Sequence, residues 1–305
     1  MLNFDAEQQI ARIAGVELGG QMGDHPPVLI GSIFYSGHKI VQDPLEGIFD
    51  AAEAKRLMDQ AAELSAQHAV PHIVDVIAET EQAMRRYIEF VAENSKEPFL
   101  VDATNPQVCL AGMKRAAELG VLDRAIYNSI DPHSTEEHMD ELAKLGAKHA
   151  VLLAFSTTHL FPKDRIALVA GQEGKAGLLD RARQAGIENV LVDTGVLDLP
   201  STSWTSQAIF TVKEKLGLPS GCAPSNALYT WKKKRAIASP EFEACGAAVF
   251  GLPLTQGADF LLYGPIRNAS WVFPSTAITA AMIAYGARIH KRRPVSKDHP
   301  LYRLF

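Results

Sequence analysis

The sequence is poor in cysteine, in positive charge and in long apolar runs. Its three cysteines, Cys109, Cys222 and Cys245, lie far apart and are odd in number, which argues against a disulfide framework and against a cysteine-rich metal site. The formal net charge is −5, so no overall basic field would attract nucleic acid, and we expect no such partner. No apolar run reaches the length of a membrane span, and the N-terminus has neither a signal-peptide nor a transit-peptide pattern. We therefore expect a cytoplasmic protein without a membrane span.

Short apolar runs alternate with helical patterns along the 305 residues, of which 47% are apolar and 21% charged. The runs lack polar alternation, which indicates strands buried on both faces of a parallel sheet. They occupy residues 28–34, 72–78, 99–103, 124–130, 149–156, 189–197, 220–228 and 258–266. Eight such units predict an α/β fold, a closed (β/α)8 TIM barrel, rather than an open doubly wound sheet. The segment 171–177, "GQEGKAG", lacks the spacing and the preceding strand of a phosphate-binding fingerprint and is predicted to be a loop.

The N-terminal segment and the domain count complete the predicted organisation. Residues 1–27 form an N-terminal extension in which "GVELGGQMGDHP" is predicted to be a hairpin that plugs the lower end of the barrel. We expect residues 1–305 to form a single domain. Two segments have no assigned role: an insertion at 157–168 and a basic run, "WKKKR", at 231–235.

Polar side chains stand where the predicted strands end, which is where barrel enzymes place their functional residues. Carboxylates and amides dominate this set, and it contains no lysine and no histidine. A Schiff-base aldolase would need a desolvated lysine there, and a metal hydrolase would need paired histidines, so neither class is favoured. No GxSxG nucleophile motif is present either. The set comprises Ser32, Asp75, Asp102, Thr104, Asn105, Asn128, Ser129, Asp193, Thr194, Asn226, Tyr263, Arg267 and Asn268.

Helix capping does not account for the polar residues at the third and fourth strand ends. Asn105, followed by Pro106, fits the cap of the third helix, which leaves Asp102 free. Ser134, with Glu137 three residues later, fits a capping box for the fourth helix, which leaves Asn128 free. Both free side chains are therefore candidates for ligand contact.

A pterin is a ligand that such a set would suit. The amino-pyrimidinone edge of a pterin offers two N–H donors side by side, which an ionised aspartate accepts as a paired hydrogen bond. An asparagine amide supplies both a donor and an acceptor to the rest of the ring. Three carboxylates would equally suit Mg²⁺ on ligand chemistry alone.

The motifs "FLVDATNP", "YNSI", "LVDTGVLDLPS" and above all "GQMGDHPPVLIGSIFYSGHKIV" resemble those of the pterin-binding methyltransferase barrels. Over nearly the whole chain the sequence is similar to the H subunit of tetrahydromethanopterin S-methyltransferase. It looks still closer to the methylcorrinoid:tetrahydrofolate methyltransferases of glycine betaine and methoxyarene demethylation. The resemblance implies a TIM barrel that moves a methyl group between a corrinoid on a partner protein and N5 of tetrahydrofolate, giving 5-methyltetrahydrofolate.

The resemblance also assigns roles to individual residues. Asp102, Asn128 and Asp193 match the positions that hold the pterin ring, and Asp75 is a secondary candidate for the same contact. Asn226, in "GCAPSNA", matches the asparagine that approaches N5, so Asn226 and Asp193 are the expected catalytic residues. We expect a corrinoid protein as partner, a homodimer, and no metal bound by this chain itself.

Three alternatives stay open on the sequence alone. The chain could be specific for tetrahydromethanopterin, or it could be a non-catalytic subunit that docks in a larger methyltransferase complex. It could also be a dihydropteroate-synthase-like enzyme, although the strand ends lack a clear lysine for a pyrophosphate leaving group. The basic run at 231–235 would be either solvated surface or an attractor for a folate glutamate tail or an acidic corrinoid protein.

Overall fold

The structure is a computed structural model that describes residues 3–172, 174–233 and 235–305. Eight parallel strands close into a barrel in the order β10-β11-β12-β3-β6-β7-β8-β9, which confirms the predicted TIM barrel. Two antiparallel pairs, β1–β2 and β4–β5, lie outside the barrel sheet. The strands are β1 (Ile10–Ile13), β2 (Val16–Gly19), β3 (Val28–Ile33), β4 (Val41–Asp43), β5 (Ile48–Phe49), β6 (His72–Ile77), β7 (Phe99–Asp102), β8 (Ala125–Ile130), β9 (His149–Leu153), β10 (Asn189–Asp193), β11 (Ser220–Cys222) and β12 (Phe260–Pro265).

The helices surround the barrel. They are α1 (Ala51–His68), α2 (Glu81–Asn94), α3 (Pro106–Glu118), α4 (Glu136–Leu145), α5 (Pro162–Ala170), α6 (Leu178–Gln184), α7 (Thr202–Leu216), α8 (Pro224–Lys232), α9 (Ser239–Thr255), α10 (Ala269–Ala287) and α11 (Pro300–Leu304). The insertion at 157–168 contains most of α5, a helix that the sequence patterns did not predict. No helix in the described part of the chain is long and apolar enough to cross a membrane.

Helix caps agree with the sequence at one predicted position and differ at the other. The side chain of Asn105 accepts the Gln107 N–H at 3.0 Å, and Pro106 is the first residue of α3, as predicted. The predicted cap of α4 at Ser134 is wrong, because Thr135 accepts the His138 N–H there. The Ser134 hydroxyl instead bonds the backbone and carboxylate of Asp131 in the preceding turn.

The N-terminal hairpin closes the lower end of the barrel. Ala11, Ile13, Val16 and Leu18 of β1 and β2 are buried in one cluster with the apolar side chains that fill the barrel interior. These interior side chains are Val28, Ile30, Ile73, Leu100, Ile126, Val151, Leu191, Phe260 and Leu262. The predicted plug is therefore confirmed, and it seals the barrel at the end opposite the carboxyl ends of the strands.

The seventh strand is much shorter than predicted. The run 220–228 was expected to be one strand, but β11 ends at Cys222 and α8 begins at Pro224. Proline has a fixed φ suited to the first turn of a helix and has no N–H to donate, so it favours a helix start at this position. The basic run at 231–235 consequently begins in the last turn of α8 and does not follow a strand. Residue 234 of that run lies outside the described residues, as does residue 173 of the predicted loop at 171–177.

Candidate functional site at the barrel mouth

A layer of polar side chains lies directly above the apolar interior of the barrel. In five strands the residue two positions after an apolar interior residue is polar, and side chains two apart in a strand point the same way. The pairs are Ile30 with Ser32, Ile73 with Asp75, Leu100 with Asp102, Ile126 with Asn128, and Leu191 with Asp193. The strand register places Ser32 beside Asp75 and Asp102 beside Asn128 on neighbouring strands. The structure thus brings together four predicted site residues, Asp75, Asp102, Asn128 and Asp193.

Asp75 is the most deeply buried member of this layer. Its side chain is 1% exposed, and its Oδ2 accepts a hydrogen bond from the Ser32 hydroxyl at 2.7 Å. Within the described residues its Oδ1 has no hydrogen-bond partner. Burial raises the pKa of this carboxyl to about 6, although the Ser32 hydrogen bond acts in the opposite direction. The carboxyl therefore changes its charge close to neutral pH.

Asp102 and Asn128 are adjacent and have free polar atoms. Both are partly exposed at the mouth, and neither side chain makes a hydrogen bond with any residue of the described ranges. Burial raises the pKa of Asp102 well above its usual value, and the nearby carboxylates of Asp75 and Asp193 raise it further. A carboxylate and an amide that lie side by side without partners can form hydrogen bonds to a planar ligand that carries N–H and C=O groups.

Asp193 ends β10 and is held by the turn that follows it. Its Oδ1 accepts the backbone N–H of Gly195 at 2.7 Å. Burial raises the pKa of this carboxyl to about 6, whereas the Gly195 N–H and the positive charge of Arg165 act to lower it. Arg165 donates hydrogen bonds to the backbone carbonyls of Thr194 and Gly195 and not to this carboxylate.

Asn226 does not stand at a strand end. It lies in the first turn of α8, three residues beyond Ala223, and its side chain is exposed. Its predicted position on the seventh strand is wrong for the same reason that the strand is short. Because α8 follows a barrel strand, its first turn still faces the mouth of the barrel.

The loop after β3 adds two groups that the sequence did not identify. The rings of Tyr35 and His38 stack with centroids 4.4 Å apart, and His38 Nδ1 accepts the Phe34 N–H at 3.2 Å. Burial lowers the pKa of His38 to about 4, and the charge of Arg267 lowers it further, so this imidazole is neutral at physiological pH. Gly37, which has φ +77° in the structure, was the available sequence signal for a tight turn here.

Several other predictions can be compared with the structure. The three cysteines are free thiols, which confirms that they form no disulfide framework. Among the residues that the structure describes, no group of three His, Cys, Asp or Glu side chains is arranged to hold a metal ion.

Comparison with known proteins identifies the family. The family described as tetrahydromethanopterin S-methyltransferase MtrH subunit matches residues 6–293. The H subunit of tetrahydromethanopterin S-methyltransferase from Methanothermobacter thermautotrophicus is 35% identical over 310 residues, covering 100% of both chains. The corresponding protein from Methanosarcina acetivorans is also 35% identical, over 315 residues and 100% of both chains.

Solved structures confirm the fold. A dihydropteroate synthase of Xanthomonas albilineans superimposes with a TM-score of 0.61, at 20% sequence identity, over 90% of this chain and 98% of that one. A dihydropteroate synthase of Coxiella burnetii gives a TM-score of 0.62 at 15% identity, over 92% of this chain and 99% of that one. At such low identity this similarity establishes the shared barrel and carries no information about the reaction.

These relatives correct one expectation. The sequence was interpreted as closest to the tetrahydrofolate-dependent methyltransferases, but the matching family and the full-length relatives above are tetrahydromethanopterin S-methyltransferase subunits. The prediction of a tetrahydrofolate methyltransferase is therefore wrong, and the alternative that named tetrahydromethanopterin is better supported. This chain belongs to the family of methyltransferases formed by the MtrH subunits of tetrahydromethanopterin S-methyltransferase.

Proposed function

We propose that this chain binds tetrahydromethanopterin in the barrel mouth and transfers a methyl group between N5 of that pterin and a corrinoid carried by a partner protein. The observation that carries this proposal is the adjacent pair Asp102 and Asn128, whose polar atoms are unpaired at the mouth of a barrel of this family. The proposal follows the alternative assignment of the pterin, because the relatives are named for tetrahydromethanopterin.

The polar layer supplies complementary partners for the pterin ring. The ionised Asp102 would accept the two adjacent N–H groups of the amino-pyrimidinone edge as charge-assisted hydrogen bonds. Asn128 would offer its amide to the neighbouring carbonyl and ring nitrogen, and Asp193 would accept a further ring N–H. Asp75, the most deeply buried member of the layer, would contact the ring with its unpaired Oδ1. A ligand without this pattern would leave buried polar groups unpaired, which makes the set selective.

The chemistry requires the protein mainly to position the ring. The N5 lone pair would form the new C–N bond in line with the C–Co bond that breaks, the bonding electrons would remain on cobalt, and the proton that N5 carries would be released to solvent. In the reverse direction N5 is a poor leaving group unless a proton or a strong hydrogen bond reaches it. Asn226, exposed in the first turn of α8, is proposed to reach N5, and Asp193 is proposed to share this catalytic role.

The partner protein would approach the open mouth. The corrinoid must come within bonding distance of the methyl group, so it has to enter from the side where the strands end. The basic run at 231–235 begins in the last turn of α8, the helix whose first turn faces this opening, and it would favour an acidic partner surface.

The binding test compares one residue of the site with one outside it. Wild-type protein, Asp102→Ala and Asp59→Ala are titrated with tetrahydromethanopterin by calorimetry at pH 7.5. Asp59 is an exposed carboxylate on α1 that pairs with Lys55, so it controls for the loss of a negative charge. We expect Asp102→Ala to lose about 100-fold or more in affinity, since it removes two charge-assisted hydrogen bonds, and Asp59→Ala to bind normally. Wild-type affinity in Asp102→Ala would refute the assignment.

The activity test uses methylcobalamin as the methyl donor and follows the corrinoid spectrum. We expect demethylation with tetrahydromethanopterin and a much slower reaction with tetrahydrofolate. Binding without demethylation, even with a corrinoid protein supplied, would favour the non-catalytic subunit. Formation of a pteroate from p-aminobenzoate would favour the dihydropteroate-synthase-like alternative.

We also propose that two copies of the chain associate through α9 and α10. These helices pack side by side, and residues 244–258 and 268–287 contain no charged side chain. Exposed on α10 are Ile278, Met282 and Tyr285, a spacing that places them on one face. An uncharged apolar face can meet its own copy about a two-fold axis without opposing like charges. Sedimentation should give a dimer for the wild type and a monomer for Met282→Glu, and a monomeric wild type would refute the proposal.

A further inference from the structure

The insertion at 157–168 places a buried arginine, Arg165, beneath the candidate site at the barrel mouth. Most of α5 lies in this insertion, and Arg165 in its first turn and a half is only 1% exposed. Among the residues that the structure describes, no carboxylate lies within ion-pair distance of its guanidinium. A buried cation without a direct counter-ion is costly, so its contacts call for an explanation.

Those contacts converge on the turn that follows Asp193. Arg165 Nη1 donates to the carbonyl oxygens of Thr194 at 2.7 Å and Gly195 at 3.1 Å. It also donates to the Thr205 hydroxyl oxygen at 3.0 Å. The Thr205 hydroxyl itself donates to the Gly195 carbonyl at 2.6 Å. Two donors from two helices, α5 and α7, thus hold one carbonyl of this turn.

The N–H of Gly195, on the other side of this turn, faces the candidate site. The Gly195 N–H donates to Asp193 Oδ1, so the orientation of that residue fixes the orientation of the carboxylate. Gly195 has φ +68°, and a Cβ at this position would lie 2.4 Å from the Phe155 Cβ. The guanidinium carbon of Arg165, Cζ, lies over the Phe155 ring, 5.4 Å from the ring centroid. Arginine, phenylalanine and glycine therefore form one packed support beneath Asp193.

We infer that Arg165 is a positioning residue for the methyltransferase site: it holds the Thr194–Gly195 turn so that the Gly195 N–H orients the Asp193 carboxylate for the pterin. This inference rests on the proposed function for the identity of the ligand. Arg165 touches neither the pterin position nor any reacting atom, and it acts through the turn.

The guanidinium has a second effect on the same carboxylate. The charge of Arg165 lowers the pKa of Asp193 and so opposes burial, which raises it. The other titratable groups around Asp193 are Asp102, whose pKa it raises, and the buried Cys222 thiol, whose pKa it also raises. Arg165 is the cation of this group, so its removal should shift the ionisation of Asp193 to higher pH.

The experiment measures tetrahydromethanopterin affinity from pH 5 to pH 8.5 for wild-type protein, Arg165→Met, Arg165→Lys and Arg181→Met. Arg181 on α6 is the matched control, because it is also largely buried and donates to backbone carbonyls, those of Asp131 and Ser134. Circular dichroism verifies that each variant is folded.

We expect Arg165→Met to bind about tenfold more weakly at pH 7, with the acid limb of its affinity profile moved up by about half a pH unit or more. Arg165→Lys keeps the charge but cannot reproduce the planar set of donors. The acid limb of its affinity profile should therefore stay near the wild-type pH, while its pterin affinity falls several-fold. Arg181→Met should change neither the affinity nor the limb. Wild-type affinity and limb in folded Arg165→Met would overturn the inference; if that variant does not fold, wild-type affinity in Arg165→Lys would overturn it.

A ligand-free measurement separates this inference from the proposed function. Carbon-13 labelling of the aspartate carboxyls reports the titration of Asp193 directly by NMR, with Asp193→Asn to assign the signal. We expect the Asp193 midpoint to rise in Arg165→Met and not in Arg181→Met. If the wild type fails to bind the pterin but this shift is observed, the proposed ligand is wrong and the support of Asp193 by Arg165 stands. If the pterin binds and no shift is observed, the electrostatic part of the inference fails.

Discussion

Asp75 offers a direct test of how the mouth of the barrel is built, because its charge is costly to the folded protein. Its pKa rises from 3.8 to about 6 on burial. At about 1.4 kcal/mol for each pH unit of displacement, the ionised carboxylate costs the folded state about 3 kcal/mol. We therefore expect Asp75→Asn, which keeps the shape and removes the charge, to stabilise the ligand-free protein at pH 8.

The pH dependence distinguishes this explanation from a simple packing effect. Since the folded-state pKa lies above the unfolded value, the folded protein holds the proton more tightly, and Asp75 costs nothing below about pH 4. The cost grows between about pH 4 and pH 6 and is complete above that range. The advantage of Asp75→Asn over wild type should follow the same course, because the asparagine carries no charge at any pH.

Urea unfolding at pH 5 and at pH 8 measures this difference. Asp59→Asn, on the exposed face of α1, serves as the control and should show no more than about 0.5 kcal/mol at either pH. Ser32→Ala should move the sensitive range to higher pH, since it removes a hydrogen bond that lowers the pKa of Asp75. An advantage of Asp75→Asn that is equal at pH 5 and pH 8 would refute the reasoning.

Three further outcomes are expected. Pterin affinity should fall at least tenfold for each pH unit below about 6, because the pKa of Asp193 is raised to about 6 in the free protein, the pKa of Asp102 is also raised, and the ligand needs both carboxylates ionised; calorimetry in two buffers of different ionisation enthalpy should detect proton release on binding near that pH. Gly195→Ala should fold but bind the pterin at least tenfold more weakly, since its φ of +68° and the Phe155 side chain leave no room for a methyl group, and Phe155→Ala in the same chain should recover part of the loss, whereas no recovery would count against the clash. Lys213→Met should lower the free energy of unfolding by about 3–5 kcal/mol, because it leaves the Asp259 carboxylate, 2.6 Å from Lys213 Nζ, buried without a counter-ion, and a loss below about 1 kcal/mol in urea titration would contradict this.

The polar layer could be predicted from the sequence because it depends on local rules. Strand ends of a parallel barrel share one rim, so Asp102 and Asn128 had to be close once both strands were recognised. The cap at Asn105 was predictable as well, since the Asn-Pro pair has a distinct geometry. The assignment of Ser134 as a cap failed because Thr135, one residue later, is an equally good cap, and the hydrogen bonds of Ser134 to Asp131 in the preceding turn decide between them.

Two features of the structure were not predicted from the sequence, for different reasons. The break between β11 and α8 had a signal, Pro224, which the apolar character of the segment outweighed. Arg165 had none, because a single arginine in an irregular segment looks like a surface residue until the barrel brings α5 against the end of β10. The roles of Asp75, Asp102, Asn128, Asp193 and Asn226 stay predictions until ligand binding is measured, as does the single domain over 1–305.

The N-terminal hairpin has a consequence for how the chain reaches its folded state. Its side chains share a cluster with Leu191 of β10 and Phe260 of β12, and Gln9 N–H bonds the Gly217 carbonyl at 2.7 Å. The hairpin thus acquires these neighbours only after β10 and β12 have been made. Contacts of such long sequence separation are slow to form, since they close large loops. We expect the emerging hairpin to stay unprotected during synthesis, and the last step of folding to be the one that seats it beneath the barrel.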